Sequence, residues 1–222
     1  MTMQRSWLTP GVLLRKALGP CLPAFAKSYR RIYLNPEKLA QVIAQQLPKN
    51  ASVLDVGGGD GYLSNDLLAI RKDISLTLID LATGIGKGID PSFRNRVHVY
   101  DGKSIQDWMK ERMATDSLHA VVLSDVIHHI PDTALDGFIH DLAELCRRTH
   151  AVLIIKDVEP GHYLATIGLW ADKYLSGDRA TRLVSQQRLV GLLKAEMPNS
   201  VLVETELAKI DPPNYCVVFK PK

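Results

Sequence analysis

The fold is decided by one stretch of the chain, Val53-Leu54-Asp55-Val56-Gly57-Gly58-Gly59-Asp60-Gly61-Tyr62-Leu63. The apolar run from Ser52 to Val56 predicts a buried parallel strand. Apolar residues then recur at helical spacing from Leu63 to Ile70, and they predict a helix directly after the glycines. Glycine tolerates positive φ angles, and its missing Cβ lets a ligand lie against the backbone. The stretch therefore predicts a strand, a glycine turn and a helix whose first amides point at a ligand.

The spacing of the glycines argues against a dinucleotide ligand. A Gly-x-Gly-x-x-Gly loop binds a pyrophosphate, whereas these glycines follow the pattern Gly-x-Gly-x-Gly, with Asp55 two places before the first. A carboxylate at the end of this strand would repel pyrophosphate, but it suits a cation such as the α-amino group of a methionyl moiety. The plain alternative is a strand-to-helix turn that happens to be glycine-rich.

The glycine turn resembles motif I of the class I S-adenosylmethionine-dependent methyltransferases of the small-molecule type. The resemblance covers roughly residues 50–220. It implies an α/β fold with a doubly wound, Rossmann-like sheet of seven strands, mostly parallel with an antiparallel last strand, and helices on both faces. It also implies S-adenosylmethionine as cofactor, S-adenosylhomocysteine as product and no metal. The repeated strand–helix order, which ends in a hairpin, agrees with such a sheet.

The resemblance assigns the cofactor to this turn and to residues that end three further strands. Asp80 follows the second predicted strand, 74–79, and would accept hydrogen bonds from the ribose hydroxyls, or else it caps the next helix. Asp101 ends the third strand and would meet the adenine amino group, or else it only starts the capping arrangement Ser104-x-x-Asp107. Asp125 would stand near the methionyl part or the transferred methyl. The full predicted set is Asp55, Gly57, Gly58, Gly59, Gly61, Asp80, Leu81, Asp101, Gly102, Ser124 and Asp125.

One segment departs from the family pattern. Most relatives continue into a regular helix after the second strand, but this chain continues as Ala82-Thr83-Gly84-Ile85-Gly86-Lys87-Gly88-Ile89-Asp90-Pro91. The glycines and the proline predict a flexible loop at the ribose edge of the cofactor instead of a helix. A phosphate-binding loop is not indicated, because no Gly-Lys-Ser/Thr follows.

The candidate catalytic residues are His128, His129 and Asp157. The fourth predicted strand, 118–123, leads into Ser124-Asp125-Val126-Ile127-His128-His129-Ile130-Pro131-Asp132, which resembles motif IV of small-molecule methyltransferases. His128 could take a proton from an attacking hydroxyl or amine, since histidine titrates near working pH. The alternative is a structural role in shaping the pocket. Two adjacent histidines without a third ligand at a suggestive spacing do not predict a metal site.

Further acidic and aromatic residues are open to two interpretations each. Asp157 and Glu159 follow the fifth predicted strand, 151–155, where they could orient a substrate or form an ion pair with Lys156. Trp108 is expected in the core and not stacked on adenine. Aromatic residues at helical spacing in 161–184 predict an insertion that builds an acceptor pocket, with a plain packing helix as the alternative.

Local signals place the helix ends and the last strands. Asn35 is expected to cap one helix, Asp132 a long second helix, and Ser185 a final helix that runs to Glu196. Residues 201–207 and 215–219 predict a closing hairpin. The domain boundaries follow: a single domain over 1–222, with a basic lid or extension over 1–34, a cofactor-binding half over 50–158, and a helical substrate-side insertion with the last helix over 159–200.

Charge and composition limit the setting. The net charge is +3, but residues 1–50 hold eight basic residues and one acidic residue, which favours an anionic partner or membrane surface, or simply a solvated cationic face. No apolar run approaches the roughly 18–20 residues that cross a bilayer. The three cysteines are scattered, which indicates a reduced, cytoplasmic setting.

These observations predict methyl transfer from S-adenosylmethionine to a small-molecule acceptor, apolar, aromatic or carrier-bound. Oxygen is the modestly preferred methylated atom, because a hydroxyl nucleophile benefits most from a histidine base. Two other functions stay open, a nucleic-acid methyltransferase and a non-catalytic protein that binds S-adenosylmethionine. A homodimer is also left open.

Overall fold

The computed structural model describes residues 35–112, 117–166, 181–205 and 212–222. Their strands are β1 (Ser52–Val56), β2 (Ser75–Asp80), β3 (Val97–Asp101), β4 (Ala120–Ser124), β5 (Val152–Val158), β6 (Val201–Glu204) and β7 (Asn214–Lys220). Their helices are α1 (Pro36–Gln46), α2 (Tyr62–Ile70), α3 (Ile105–Arg112), α4 (Asp132–Thr149) and α5 (Gln186–Glu196). Short 3₁₀ turns cover Pro91–Arg96 and Ile127–His129.

The strands form one seven-stranded sheet in the order β3-β2-β1-β4-β5-β7-β6. Strands β1 to β5 pair in parallel, and β7 runs antiparallel to both of its neighbours, β5 and β6. The predicted doubly wound sheet with an antiparallel last strand is confirmed. Strand β1 lies between β2 and β4. From β1 the chain builds β2 and β3 on one side, and it then returns to build β4 and β5 on the other side. Open α/β sheets bind ligands at such a switch point.

The core has two layers, one on each face of the sheet. Helices α3, α4 and α5 cover one face, and their buried side chains there include Ile105, Trp108, Leu135, Ile139, Leu142, Leu189 and Leu193. Helices α1 and α2 cover the other face through Leu39, Ile43, Leu67 and Leu68. Burial of this apolar surface is the main force that holds the helices on the sheet. The expectation that Trp108 is a core residue is confirmed.

Most predicted helix starts are confirmed, and one is wrong. The Asn35 side chain accepts a hydrogen bond from the Lys38 amide at 3.2 Å, and Ser185 accepts one from the Arg188 amide at 3.3 Å. Asp132 does not cap α4, because it is the first helical residue and Pro131 holds the cap position. Its carboxylate pairs instead with the arginines Arg182 and Arg188.

Several expectations fall on parts of the chain that the structure does not describe. The basic lid or extension over 1–34 and the greater part of the aromatic insertion, 167–180, lie outside the described residues. The closing hairpin is confirmed by the pairing of β6 with β7. Among the helices of the described ranges, none is both long and apolar enough to cross a bilayer.

Candidate active site

The glycine turn connects β1 to α2 in the predicted way. Gly57 and Gly61 have φ angles of 73° and 82°, which are left-handed values that glycine adopts without strain. The Gly57 amide donates to the Ile79 carbonyl at 2.8 Å, so the turn is bound to the end of β2. The turn therefore lies at the carboxyl edge of the sheet, with Gly61 at the N-cap of α2.

The glycines differ in what lies beside them. A Cβ added to Gly57 would lie 2.6 Å from Val126, and one added to Gly61 would overlap Ile89. At Gly59, by contrast, the nearest atom is a backbone oxygen at 4.0 Å. The expectation that a missing Cβ makes room for a ligand therefore fits Gly59. At Gly57 and Gly61 the missing Cβ lets neighbouring protein pack closely, and contact of these two residues with the cofactor stays a prediction.

Asp55 belongs to β1, and its side chain is buried against α2. Its exposed fraction is 3%, and its carboxylate accepts a hydrogen bond from the Ser64 hydroxyl at 2.9 Å. Burial raises the pKa of Asp55 from 3.8 to about 6, although the Ser64 bond opposes the shift and the charge of Asp80 adds to it. Little of Asp55 reaches the surface, and its contact with an amino group of the cofactor stays a prediction.

Asp80 and Asp101 lie side by side, because β2 and β3 pair them in register. The Asp80 carboxylate accepts hydrogen bonds from the Gly59 amide at 3.2 Å and the Ala82 amide at 2.9 Å. The Asp101 carboxylate accepts one from the Gly84 amide at 2.6 Å. Backbone amides thus orient both predicted acids at the same edge as the glycine turn.

The segment from Ala82 to Asp90, here called the collar, forms no regular helix, as predicted. It crosses the glycine turn, because the Gly86 amide donates to the Gly59 carbonyl at 2.8 Å and the Gly88 amide to the Asp60 carbonyl at 2.9 Å. Leu81, just before the collar, is 75% exposed, and the Gly102 amide donates to the Ala82 carbonyl. The cofactor residues predicted on β1, β2 and β3 are therefore brought together around the collar.

His128 and Asp157 form a buried pair at the carboxyl ends of β4 and β5. The His128 Nδ1 atom lies 2.6 Å from Asp157 Oδ1, and both side chains are buried. The other Asp157 oxygen accepts the backbone amide of His128 at 3.2 Å. An ionised carboxylate only accepts hydrogen bonds, so this contact assigns a proton to Nδ1 and makes Nε2 the acceptor of the ring.

Lys156 and Asp125 form a second ion pair that the sequence did not predict. The Lys156 ammonium lies 2.5 Å from Asp125 Oδ1 and is buried, whereas 41% of the Asp125 side chain is exposed. Burial alone would raise the pKa of Asp125, but the charge of Lys156, together with that of His128 whenever its ring is protonated, outweighs it and lowers the pKa. The alternative that Lys156 pairs with Asp157 or Glu159 is not found, because the Lys156 ammonium pairs with Asp125 and Asp157 pairs with His128. Glu159 accepts the Gln186 amide.

Asp125, His128 and Asp157 place one ligand-type atom each within 4.8 Å of one another, the one such group found in the described ranges. Both carboxylates already face donors of the protein, because Lys156 donates to Asp125 and His128 to Asp157. These donors compete with any cation for the same oxygens. The expectation that no metal is needed stays a prediction.

The second histidine differs from the first in its surroundings. His129 is exposed, and its ring lies 4.2 Å from the His128 ring at an angle of 46°. The Arg182 amide donates to the His128 carbonyl at 2.9 Å, which fixes the start of the 181–185 segment beside the buried pair. Sequence reasoning missed the place of Arg182 and the pairing of Lys156 with Asp125, because neither residue belongs to a motif.

Comparison with known proteins gives the family. A family model described as a methyltransferase domain matches residues 27–195. A curated relative, the ubiquinone biosynthesis O-methyltransferase of Xanthomonas axonopodis pv. citri (strain 306), is 37% identical over 101 residues, which are 45% of this chain and 41% of the relative. The chain therefore spans less than half the length of this relative.

Solved structures agree on the fold. An O-methyltransferase family protein from Burkholderia thailandensis has a TM-score of 0.63 at 16% identity and covers 90% of this chain and 59% of its own. A SAM-dependent methyltransferase from Archaeoglobus fulgidus has a TM-score of 0.60 at 15% identity, with 88% of this chain and 99% of its own covered. At these identities the likeness shows the fold alone.

Three findings thus agree. The sheet is doubly wound with an antiparallel last strand, as expected, the glycine turn and the strand-end acids meet at one edge, and the family model spans more than half of the chain. The resemblance inferred from the sequence is confirmed: the chain belongs to the methyltransferase-domain family and has the fold of its class I members.

Proposed function

We propose that this chain transfers a methyl group from S-adenosylmethionine to a hydroxyl group of a small-molecule acceptor. One observation carries the proposal. A buried histidine, His128, is held by a buried carboxylate, Asp157, at 2.6 Å. The pair lies at the carboxyl ends of β4 and β5, and β4 is the neighbour of β1, which ends at the glycine turn beside the switch point.

The residues around the glycine turn fit the cofactor. Gly59 leaves its Cβ position open, and Asp80 is only partly buried, so its carboxylate can accept further hydrogen bonds from a ribose diol. Asp125 is ionised and partly exposed at the same edge, where it suits a cationic group. When bound, S-adenosylmethionine supplies a methyl group activated by a positively charged sulfur.

His128 acts as general base in this proposal. Its Nε2 atom takes the proton of the acceptor hydroxyl, while the acceptor oxygen forms the new bond to the methyl carbon and the carbon–sulfur bond breaks with its electron pair left on sulfur. Asp157 balances the positive charge that His128 gains and keeps the ring oriented. A positioned base of this kind accelerates a reaction by about 10²–10⁴-fold.

Oxygen is favoured as the methylated atom for two reasons. A hydroxyl nucleophile benefits most from a base, and the matched Xanthomonas relative is named as an O-methyltransferase. An apolar or aromatic acceptor follows from the aromatic spacing in 161–184. We place the activity in the cytoplasm, because Cys146 and Cys216 are buried free thiols.

The test uses S-adenosylmethionine with a labelled methyl group, incubated with the protein and a cell extract that is then fractionated. We expect label in the organic-soluble or small-molecule fraction with the wild type and a large reduction with Asp80→Ala. Loss of hydrogen bonds between a charged group and the cofactor should weaken cofactor binding at least about tenfold. His128→Ala should abolish most of the labelling while cofactor binding persists.

Other outcomes would change the proposal. Label recovered in RNA or protein would overturn the small-molecule acceptor. Cofactor binding by the wild type, with no transfer to any fraction, would favour a non-catalytic binding protein. Equal labelling by wild type and His128→Ala would remove His128 as the base while leaving the transfer itself in place.

A further inference from the structure

The collar is the segment in which the sequence departs from the family pattern, and its anchor lies in α2. The Asn65 side chain is half-buried, and its amide nitrogen donates to the Gly88 carbonyl at 2.7 Å. Its amide oxygen accepts a hydrogen bond from the Asp90 amide at 2.9 Å. Both polar ends of one side chain therefore bind the carboxyl-terminal end of the collar to the helix that begins at the glycine turn.

The collar in turn holds the acids of the proposed cofactor site. At its start, the Ala82 amide donates to the Asp80 carboxylate at 2.9 Å, and the Gly84 amide donates to the Asp101 carboxylate at 2.6 Å. A carboxylate that accepts backbone amides is restricted in its rotation. The positions of both carboxylates therefore depend on where the collar lies.

The collar also packs against the glycine turn. Ile89 is 3% exposed and occupies the space beside Gly61 that a side chain there would fill. The Gly86 and Gly88 amides donate to the carbonyls of the glycine turn, at Gly59 and Asp60. Movement of the collar would thus disturb the glycine turn as well as the two carboxylates.

We propose that Asn65 is a positioning residue for cofactor binding, which acts through the collar on Asp80 and Asp101. The inference rests on the proposed function, because it concerns the same cofactor site. Asn65 does not itself touch the strand-end carboxylates. It fixes the far end of the collar, and the near end orients the groups that would bind the ribose and the adenine.

The experiment measures S-adenosylhomocysteine binding by titration calorimetry with the wild-type chain, Asn65→Ala and Asn65→Asp. Asn65→Asp keeps the acceptor for the Asp90 amide but replaces the donor to Gly88 with a carboxylate oxygen. We expect the dissociation constant to rise about tenfold in both variants, the loss that follows when about one net hydrogen bond is removed. Asn199→Ala, an exposed asparagine in the turn after α5, is the matched control and should bind as the wild type does.

A second readout follows the collar directly. Trypsin cleaves after lysine, and Lys87 lies in the exposed middle of the collar. Release of the Asn65 anchor should speed cleavage after Lys87 more than cleavage at other sites. Gly86→Ala acts from inside the collar, where a Cβ would lie 3.0 Å from Val99, so it should weaken binding without any change in α2.

The outcomes separate the inference from the proposed function. Equal affinity of the wild type and both Asn65 variants would overturn the inference alone. Weaker binding with unchanged cleavage after Lys87 would also overturn it, because the effect would not pass through the collar. Failure of the wild type to bind S-adenosylhomocysteine would overturn the proposed cofactor, and the inference with it. If the Asn65 variants do not fold, unchanged binding by Gly86→Ala would still contradict the inference.

Discussion

The two halves of the active-site edge hold their carboxylates in different ways. On the β1–β3 side, Asp80 and Asp101 accept hydrogen bonds from backbone amides of the glycine turn and the collar. On the β4–β5 side, Asp125 pairs with Lys156, and Asp157 pairs with His128. The first arrangement depends on local turn geometry, whereas the second depends on which strands are neighbours. The β1–β3 side therefore fixes the positions of its carboxylates through backbone hydrogen bonds. The β4–β5 side balances the charges of its carboxylates with Lys156 and His128.

The largest effect is expected on the β4–β5 side. His128→Ala should lower kcat by about 10²–10⁴-fold, since it removes the proposed general base. His129→Ala removes an exposed ring that lies against His128, so its effect should be much smaller. Both variants are assayed with labelled S-adenosylmethionine and with S-adenosylhomocysteine titrations. Comparable losses of kcat in the two variants would contradict the assignment of the base to His128.

The next largest effect tests the β1–β3 side. Gly61→Ala should lower the free energy of unfolding by about 2–4 kcal/mol, because it adds left-handed strain and overlaps Ile89. Gly59→Ala has open space beside it and should lose only about 1–2 kcal/mol from its left-handed backbone. Urea unfolding measures both. Stronger destabilisation by Gly59→Ala than by Gly61→Ala would contradict the close packing of Ile89 against Gly61.

Asp55 allows a test by pH. Its folded-state pKa of about 6 lies above its unfolded value of 3.8, so the folded protein binds this proton more tightly. Stability is therefore lost as pH rises from about 4 to about 6. Between about pH 4 and about pH 6, the free energy of unfolding of Asp55→Asn should rise by up to about 3 kcal/mol relative to that of the wild type. Thermal unfolding at several pH values measures this change.

Exposed Asp136 provides the control for Asp55, since Asp136→Asn changes the charge of α4 without touching β1. Its stability should follow the wild-type pH profile. If the stability of Asp55→Asn and that of the wild type change with pH in the same way, burial does not raise the pKa of Asp55.

The smallest effect concerns the second ion pair. Lys156→Met should lower the free energy of unfolding by about 1–2 kcal/mol at neutral pH, a modest value because Asp125 is partly exposed. Lys156 lowers the folded-state pKa of Asp125, so this contribution is present above the unfolded pKa and is lost as pH falls through the folded pKa. The difference between variant and wild type should therefore vanish in strong acid. Lys194→Met, at an exposed position of α5, serves as the control.

The glycine turn and most helix ends could be predicted because their determinants are local. Asn35 caps α1, and Ser104 with Asp107 forms a reciprocal pair of hydrogen bonds at the start of α3. Each of these depends on residues a few places apart, so the sequence alone contains the information. The resemblance to motif I then implies a doubly wound sheet with an antiparallel last strand and the set of strand-end acids.

The ion pairs could not be predicted, because they depend on register between strands. Lys156 reaches Asp125 since β4 and β5 pair Ser124 with Lys156. The mistaken cap at Asp132 has the same origin, because its arginine partners are 50 and 56 residues further along the chain. The place of Asp157 after the fifth predicted strand predicts a site residue, yet nothing local indicates that His128 is its partner.

The place of β1 in the sheet has a consequence during protein synthesis. Val53 of β1 pairs with Ala120 of β4, 67 residues later. A ribosome that adds about 5–20 residues per second needs several seconds to supply that partner strand. Until then one edge of an apolar strand has no neighbour in the finished register, and such edges favour aggregation. Slower translation between β3 and β4 should therefore lower the soluble yield of the chain.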